Sequence, residues 1–129
     1  MQNTSTIMLV EDEHQQREAL AMLFEAEGYK VFATESAEAG ARYIQQTLPD
    51  MIVTDVKLPG IDGFTFFDQV RGHASTIQVP FIFITGYNDL QAIAEVRRLG
   101  ALDYITKPYD LENLINLVKK HLPLKKPTS

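Results

Sequence analysis

Five side chains close four of the five apolar runs in this chain, and their types suit phosphoryl chemistry. Ile7 to Val10 is followed by Glu11 and Asp12, and Met51 to Val53 leads to Asp55. Phe81 to Ile84 leads to Thr85 and Gly86, and Leu102 to Ile105 leads to Thr106, Lys107 and Pro108. Three carboxylates brought together repel one another. At about 4 Å and an effective dielectric near 20, each pair costs roughly 4 kcal/mol. A cation or a raised pKa must offset that cost. Lys107 offers one positive charge, and a dication would balance the rest. Hard oxygen ligands without Cys or His suit Mg²⁺, which keeps waters and commonly shares its sphere with a phosphate. An ionised Asp needs no general base to attack phosphorus, and an aspartyl phosphate is an established covalent intermediate. Thr85 can donate a hydroxyl hydrogen bond, and Gly86 leaves room for phosphoryl oxygens and a water.

These residues meet only if the apolar runs form one sheet. The runs Ile7 to Val10, Tyr29 to Ala33, Met51 to Val53, Phe81 to Ile84 and Leu102 to Ile105 alternate with amphipathic segments. Near-continuous apolar runs suit strands buried on both faces of a parallel sheet. The helical segments run from about His14 to Glu27, Ser36 to Thr47 and Asp62 to Gly72, then from Asn88 to Leu99 and from Asp110 onward. Ser36, Asp62 and Asp110 start three of them, Asn88 and Gln91 resemble a capping box, and Gly28 and Gly100 close two. The fold class is therefore α/β, a (βα)5 doubly wound parallel five-stranded sheet in flavodoxin-like order 2-1-3-4-5. Ligands of such sheets bind beyond the carboxyl ends of the strands at the switch in strand order. That rule brings Glu11, Asp12 and Asp55 together, with Thr85 and Lys107 beside them. Taken singly, each residue has an ordinary reading as a turn former, a cap or a helix stop; their joint placement at one end of the sheet favours a site.

The 129 residues, net charge −5, 45% hydrophobic content and absence of Cys fit one folded domain without disulfides or thiolate metal sites. The acidic balance argues against a nucleic-acid grip by this domain. No apolar run approaches the roughly 20 residues of a membrane helix, and no secretory signal is evident, so a cytoplasmic location is expected. Residues 1–124 are assigned to the domain and 125–129 to a linker stub or frayed tail. His14, His73 and His121 lie in separate segments and form no ligand pattern. His14 either rims the pocket or faces solvent. The cluster Phe64, Phe66 and Phe67 reads as core rather than a base-stacking platform.

The segments LVEDE, TDVKLPGIDGF, FIFITGYND and ALDYITKPYDLENL, in this order, resemble the receiver domain of two-component response regulators. The resemblance covers Ile7 to about Leu122. It implies that Asp55 accepts a phosphoryl group from a sensor histidine kinase or phosphotransfer protein. It further implies that Asp12 ligates Mg²⁺, that Glu11 acts through metal-bound water, and that Asp55 and the Lys57 backbone carbonyl complete the protein ligands. Thr85 and Tyr104 would be the switch pair, and Lys107 would bind the phosphoryl group before a cis Pro108. Glu11 stands where the family often has Asp. Lys57 and Tyr87 occupy variable positions beside the site; the Lys57 side chain either adds charge to the pocket or points to solvent. ITGYND is similar to receivers attached to ATPase-type transcription activators. Phosphorylation would draw Thr85 and Lys107 inward, turn Tyr104 and change the face of helix 4, strand 5 and helix 5. Arg97 and Arg98 beside Glu112 and Asp110 would support a homodimer there, or form an ordinary solvated face. The domain would act as a phosphoryl-accepting signalling module, not a turnover enzyme, losing the group slowly to water. Among rival functions, a haloacid-dehalogenase-type phosphatase wants a second Asp where Lys57 stands. A pseudo-receiver would have lost Asp12, Asp55 or Lys107, and a flavodoxin would not place acids where FMN phosphate binds. The chain is either a stand-alone receiver or a piece of a longer regulator.

Overall fold

The computed structural model describes residues 4–73, 78–86 and 88–124. Tyr87 and the proposed tail 125–129 lie outside them. Ten elements alternate along the chain: β1 Thr6–Val10, α1 His14–Ala26, β2 Lys30–Thr34, α2 Ala37–Ile44, β3 Met51–Asp55, α3 Gly63–Arg71, β4 Phe81–Gly86, α4 Leu90–Leu99, β5 Asp103–Lys107 and α5 Leu111–His121. All strand pairs are parallel, and the sheet order is β2-β1-β3-β4-β5, as the alternation of runs predicts.

Side chains of a strand alternate between faces, so each central strand feeds two cores. Met8, Val10, Ile52, Phe81 and Phe83 pack with Phe66, Phe67 and Val70 of α3 and with Ala92 and Val96 of α4. Ile7, Leu9, Met51, Val53, Ile82 and Ile84 pack with Leu20 and Phe24 of α1 and with Leu114, Ile115 and Val118 of α5. β1, β3 and β4 are accordingly apolar on both sides, and their core residues are fully buried. The edge strands read less cleanly because water reaches them. Every residue of β5 is half-buried, and Leu102, expected to open it, is exposed. The strand instead runs from Asp103 to Lys107, one residue later at its start. Phe66 and Phe67 meet Phe81 edge-on, with ring centroids 5.7 and 5.0 Å apart, and Phe64 lies 5.2 Å from Phe83. The phenylalanine cluster is core and helix anchor.

Ser36 and Asp110 are the expected caps, and Asp62 caps the helix it opens: they accept hydrogen bonds from Ala39, Glu112 and Thr65 backbone N–H groups at 3.2, 2.8 and 2.8 Å. The start of α4 differs from the capping-box reading of Asn88 and Gln91. Asp89 is the cap, its Oδ1 accepting from Ala92 N at 3.0 Å, and Gln91 lies inside the helix. Asp and Asn serve equally at this position, so neighbouring candidates one residue apart compete on backbone geometry alone. Gly28 and Gly100 close α1 and α4 with φ of 106° and 72°, where a side chain would be strained.

Candidate functional site

The sheet register sets the site. Val10 of β1 pairs with Thr54 of β3, so the next residues, Glu11 and Asp55, flank one another at the carboxyl edge. Asp55 pairs with Ile84, which puts Thr85 one step beyond, and Gly86 pairs with Lys107. Four strands thus deliver four side chains to one end of the sheet. α3 closes in beneath them: Gly63 N donates to Val56 O at 2.8 Å. A Cβ on Gly63 would strike the Asp55 carbonyl oxygen, with Val56 Cα only 3.1 Å away. Glycine there is a steric requirement of the approach. At Gly86 a Cβ would meet Asn88 Oδ1 at 3.4 Å and Asp89 Cβ at 4.0 Å, so glycine is not a steric requirement there.

Glu11, Asp55 and Thr85 are almost fully buried, at 1%, 4% and 4% exposure, whereas Asp12 is exposed at the rim. Carboxylate oxygens of Glu11, Asp12 and Asp55 lie within 4.8 Å of one another. They form the one group of three or more potential metal ligands found among the described residues. Lys107 Nζ donates to Asp55 Oδ2 at 3.2 Å and stands 3.6 Å from Glu11 Oε1. Glu11 Oε2 accepts from Glu13 N at 3.2 Å. With both acids ionised, Glu11 Oε1 and Asp55 Oδ1 are buried without a hydrogen-bond partner. Water-excluded carboxylate oxygens without partners are costly, because the charge they carry is unsolvated.

Burial and the neighbouring Glu11 carboxylate push Asp55 up to about 8, against the pull of Lys107. Burial also opposes ionisation of Glu11, but the Asp55 hydrogen bond, the Glu13 N–H and Lys107 outweigh it and hold Glu11 below its ordinary value. Burial opposes the charge on Lys107 as well, yet Asp55 and Glu11 together raise its pKa. In the ion-free protein near neutral pH, Asp55 therefore tends to keep its proton while Glu11 and Lys107 are charged. The donor set fits a hard divalent cation. Three oxygens converge, two buried oxygens lack partners, and a single lysine cannot neutralise three acids.

A cleft of about 240 Å³ opens beside this cluster, lined by Asp55, Thr85, Gly86, Asn88, Asp89 and Lys107, with Lys57 at its exposed edge. The Lys57 side chain thus borders the cleft while remaining in contact with solvent. The Lys107–Pro108 peptide is cis. Tyr104 is half-buried, and its hydroxyl accepts from Arg97 Nη2 at 3.2 Å. Arg98 pairs with Glu95 of its own helix. Neither arginine meets Asp110 or Glu112 among the contacts seen in the described residues. His14 faces solvent; its Nε2 lies 3.1 Å from Glu18, and His121 lies 3.2 Å from Asp103. Three contacts at the rim carry no motif: Arg17 on the Glu11 and Asp12 carbonyls, Gln16 donating to the Tyr109 hydroxyl at 2.7 Å, and Glu38 accepting from Ile61 N at 3.2 Å. A polar residue one turn into the helix after an acidic strand end is the only trace of the first two in the sequence.

No helix among the described residues is long and apolar enough to cross a membrane. The chain is 34% identical to sporulation initiation phosphotransferase F of Bacillus subtilis over 119 residues, covering 92% of this chain and 94% of that protein. It is 29% identical to the regulatory protein AtoC of Escherichia coli, covering 92% of this chain but 25% of that protein. The chain thus spans nearly all of one relative and about a quarter of the other. Its fold superposes with a TM-score of 0.85 on the signal receiver domain of a signal transduction histidine kinase from Syntrophus aciditrophicus, at 28% identity and 98% coverage of both chains. The model of the response regulator receiver domain matches residues 7–119, a span running from β1 into α5. With the sheet order, the acidic pocket and these relatives in agreement, the chain belongs to the response regulator receiver domain family.

Proposed function

We propose that Asp55 is the phosphoacceptor of a two-component signalling step, with Mg²⁺ held by Asp12, Asp55, the Lys57 backbone carbonyl and, through water, Glu11. The observation that carries this reading is the buried Asp55 carboxylate, facing two further acids and Lys107, with one oxygen left without a partner. When bound, the cation neutralises the crowded carboxylates and the phosphoryl oxygens. Asp55 then acts as a carboxylate nucleophile. Its oxygen bonds to phosphorus while the N–P bond of a donor phosphohistidine breaks, and the electron pair stays on the imidazole. Lys107, already within 3.2 Å of Asp55, moves its charge onto a phosphoryl oxygen. Thr85 donates its hydroxyl to another. Positioning and charge neutralisation account for most of what such a transfer needs.

The donor is a sensor histidine kinase or a phosphotransfer protein. Loss of the group to water is slow, because Lys57 stands where a phosphatase of this chemistry would keep a proton donor. Release of the Tyr104 hydroxyl from Arg97, as Thr85 moves toward the phosphoryl group, would carry the signal to the face of α4, β5 and α5, the surface a homodimer would use. The same reading takes residues 1–124 as the domain, in the cytoplasm without direct nucleic-acid contacts, and residues 125–129 as a linker stub or frayed tail.

Incubation with acetyl phosphate and Mg²⁺ followed by intact-mass measurement tests the assignment. A gain of one phosphoryl group is expected, absent with chelator and absent in Asp55→Asn. Labelling of Asp55→Asn to the same extent would refute it.

A further inference from the structure

The β1–α1 turn carries two of the three acids, and an arginine one turn into α1 holds its backbone. Arg17 Nη1 donates to the carbonyl oxygen of Glu11 at 2.9 Å and to that of Asp12 at 3.4 Å. Nη2 lies 3.0 Å from His14 Nδ1. Among the described residues Arg17 makes no ion pair, although a cluster of carboxylates stands one turn away. Its charge is spent on two consecutive carbonyls instead. Three further bonds fix the same turn. Glu11 N donates to Thr34 O at 3.0 Å, Glu13 N donates to Glu11 Oε2 at 3.2 Å, and Arg17 N donates to Glu13 O at 2.9 Å. The carbonyls of Glu11 and Asp12 are thereby drawn toward α1, and their carboxylates are left to converge on Asp55.

We propose that Arg17 is a positioning residue for the divalent cation: its guanidinium bridges the two carbonyls and so fixes where the Glu11 and Asp12 carboxylates stand. This rests on the reading of Glu11, Asp12 and Asp55 as the cation's ligand set. A planar guanidinium suits the task because Nη1 reaches both carbonyls while Nη2, held in the same plane, reaches His14 and fixes its orientation, whereas a lysine ammonium is a point charge on a flexible stem. Groups that orient metal ligands without touching the metal typically change affinity by about 10–100-fold when removed.

Charge alone predicts the opposite sign. Arg17 is a cation close to a cation site, so by Coulomb repulsion its removal tightens binding of a dication. Positioning predicts that removal weakens it. The two are separated by titrating Mg²⁺ alone into the metal-free protein by isothermal titration calorimetry, for wild type, Arg17→Met, Arg17→Lys and His14→Ala. Arg17→Met is expected to bind Mg²⁺ at least about tenfold more weakly in spite of the lost positive charge. Arg17→Lys keeps the charge and is expected to weaken binding by about tenfold as well. His14→Ala breaks only the third contact of the guanidinium and is expected to leave affinity within about twofold. Melting curves in chelator identify the folded variants; should Arg17→Met not fold, Arg17→Lys decides. Unchanged or tighter Mg²⁺ binding by a folded Arg17 variant would overturn the proposal while leaving the ligand set intact. Wild type that takes up no Mg²⁺ would overturn the ligand set, and this inference with it.

Discussion

Replacing Asp55 by Asn is expected to stabilise the protein in the presence of chelator, and the gain should grow with pH. Burial and Glu11 push the Asp55 carboxyl up to about 8 in the folded chain, against an ordinary value of 3.8. A raised acid pKa has a definite sign. Below about pH 4 both folded and unfolded chains hold the proton, and Asp55 costs nothing. Between about pH 4 and 8 the unfolded chain releases it first, so unfolding is favoured as pH rises. At pH 7.5 Asp55 alone would cost about 5 kcal/mol, at 1.36 kcal/mol per unit. Glu11 returns part of this, because its charged form is favoured in the fold once the Asp55 hydrogen bond, the Glu13 N–H and Lys107 have outweighed its burial. The net gain expected for Asp55→Asn at pH 7.5 is on the order of 2–3 kcal/mol. For a domain of this length that corresponds to a rise in Tm of about 5–10 °C. Thermal or urea unfolding of both proteins in chelator, from pH 4.5 to 8.5, measures it. The curves should approach one another toward pH 4.5 and diverge as pH rises. Parallel profiles, or a variant less stable than wild type at pH 7.5, would refute the account of Asp55 as a buried, crowded carboxyl.

Other consequences follow from the same geometry. Mg²⁺ at about ten times its Kd should stabilise wild type by about 1.4 kcal/mol, and Asp12→Asn should lose most of that gain while keeping its stability in chelator, since Asp12 is exposed; melting curves with and without Mg²⁺ read both. Lys107→Met should slow acetyl phosphate labelling at least about tenfold, measured by intact mass over time, because the charge 3.2 Å from Asp55 is lost. Gly63→Ala should cost about 1–3 kcal/mol in urea unfolding, because its Cβ would strike the Asp55 carbonyl and Val56 Cα, both backbone.

The sheet order and the meeting of Glu11, Asp12, Asp55, Thr85 and Lys107 were legible because β1, β3 and β4 are apolar on both faces and end in polar residues at one edge. Where water reaches a strand, the signal blurs. β5 is half-buried throughout, so Leu102 looked like its start although it is exposed. Asn88 and Asp89 are chemically equivalent as caps, and only backbone placement selects Asp89. Arg17 and Glu38 were silent for another reason. Their partners are main-chain groups of Glu11, Asp12 and Ile61, which every residue type carries, so no side-chain pattern marks them. The raised pKa of Asp55 likewise depends first on burial, which a spacing does not reveal, and then on how closely Glu11 faces it.

The most direct test of Asp55 as phosphoacceptor locates the acyl phosphate chemically. Protein labelled with acetyl phosphate and Mg²⁺ is reduced with borohydride, which converts an acyl-phosphorylated aspartate to homoserine, and the peptides are sequenced by mass spectrometry. Homoserine at position 55, and at no other acid, is predicted. Reduction at Glu11 or Asp12 with Asp55 intact would contradict the account.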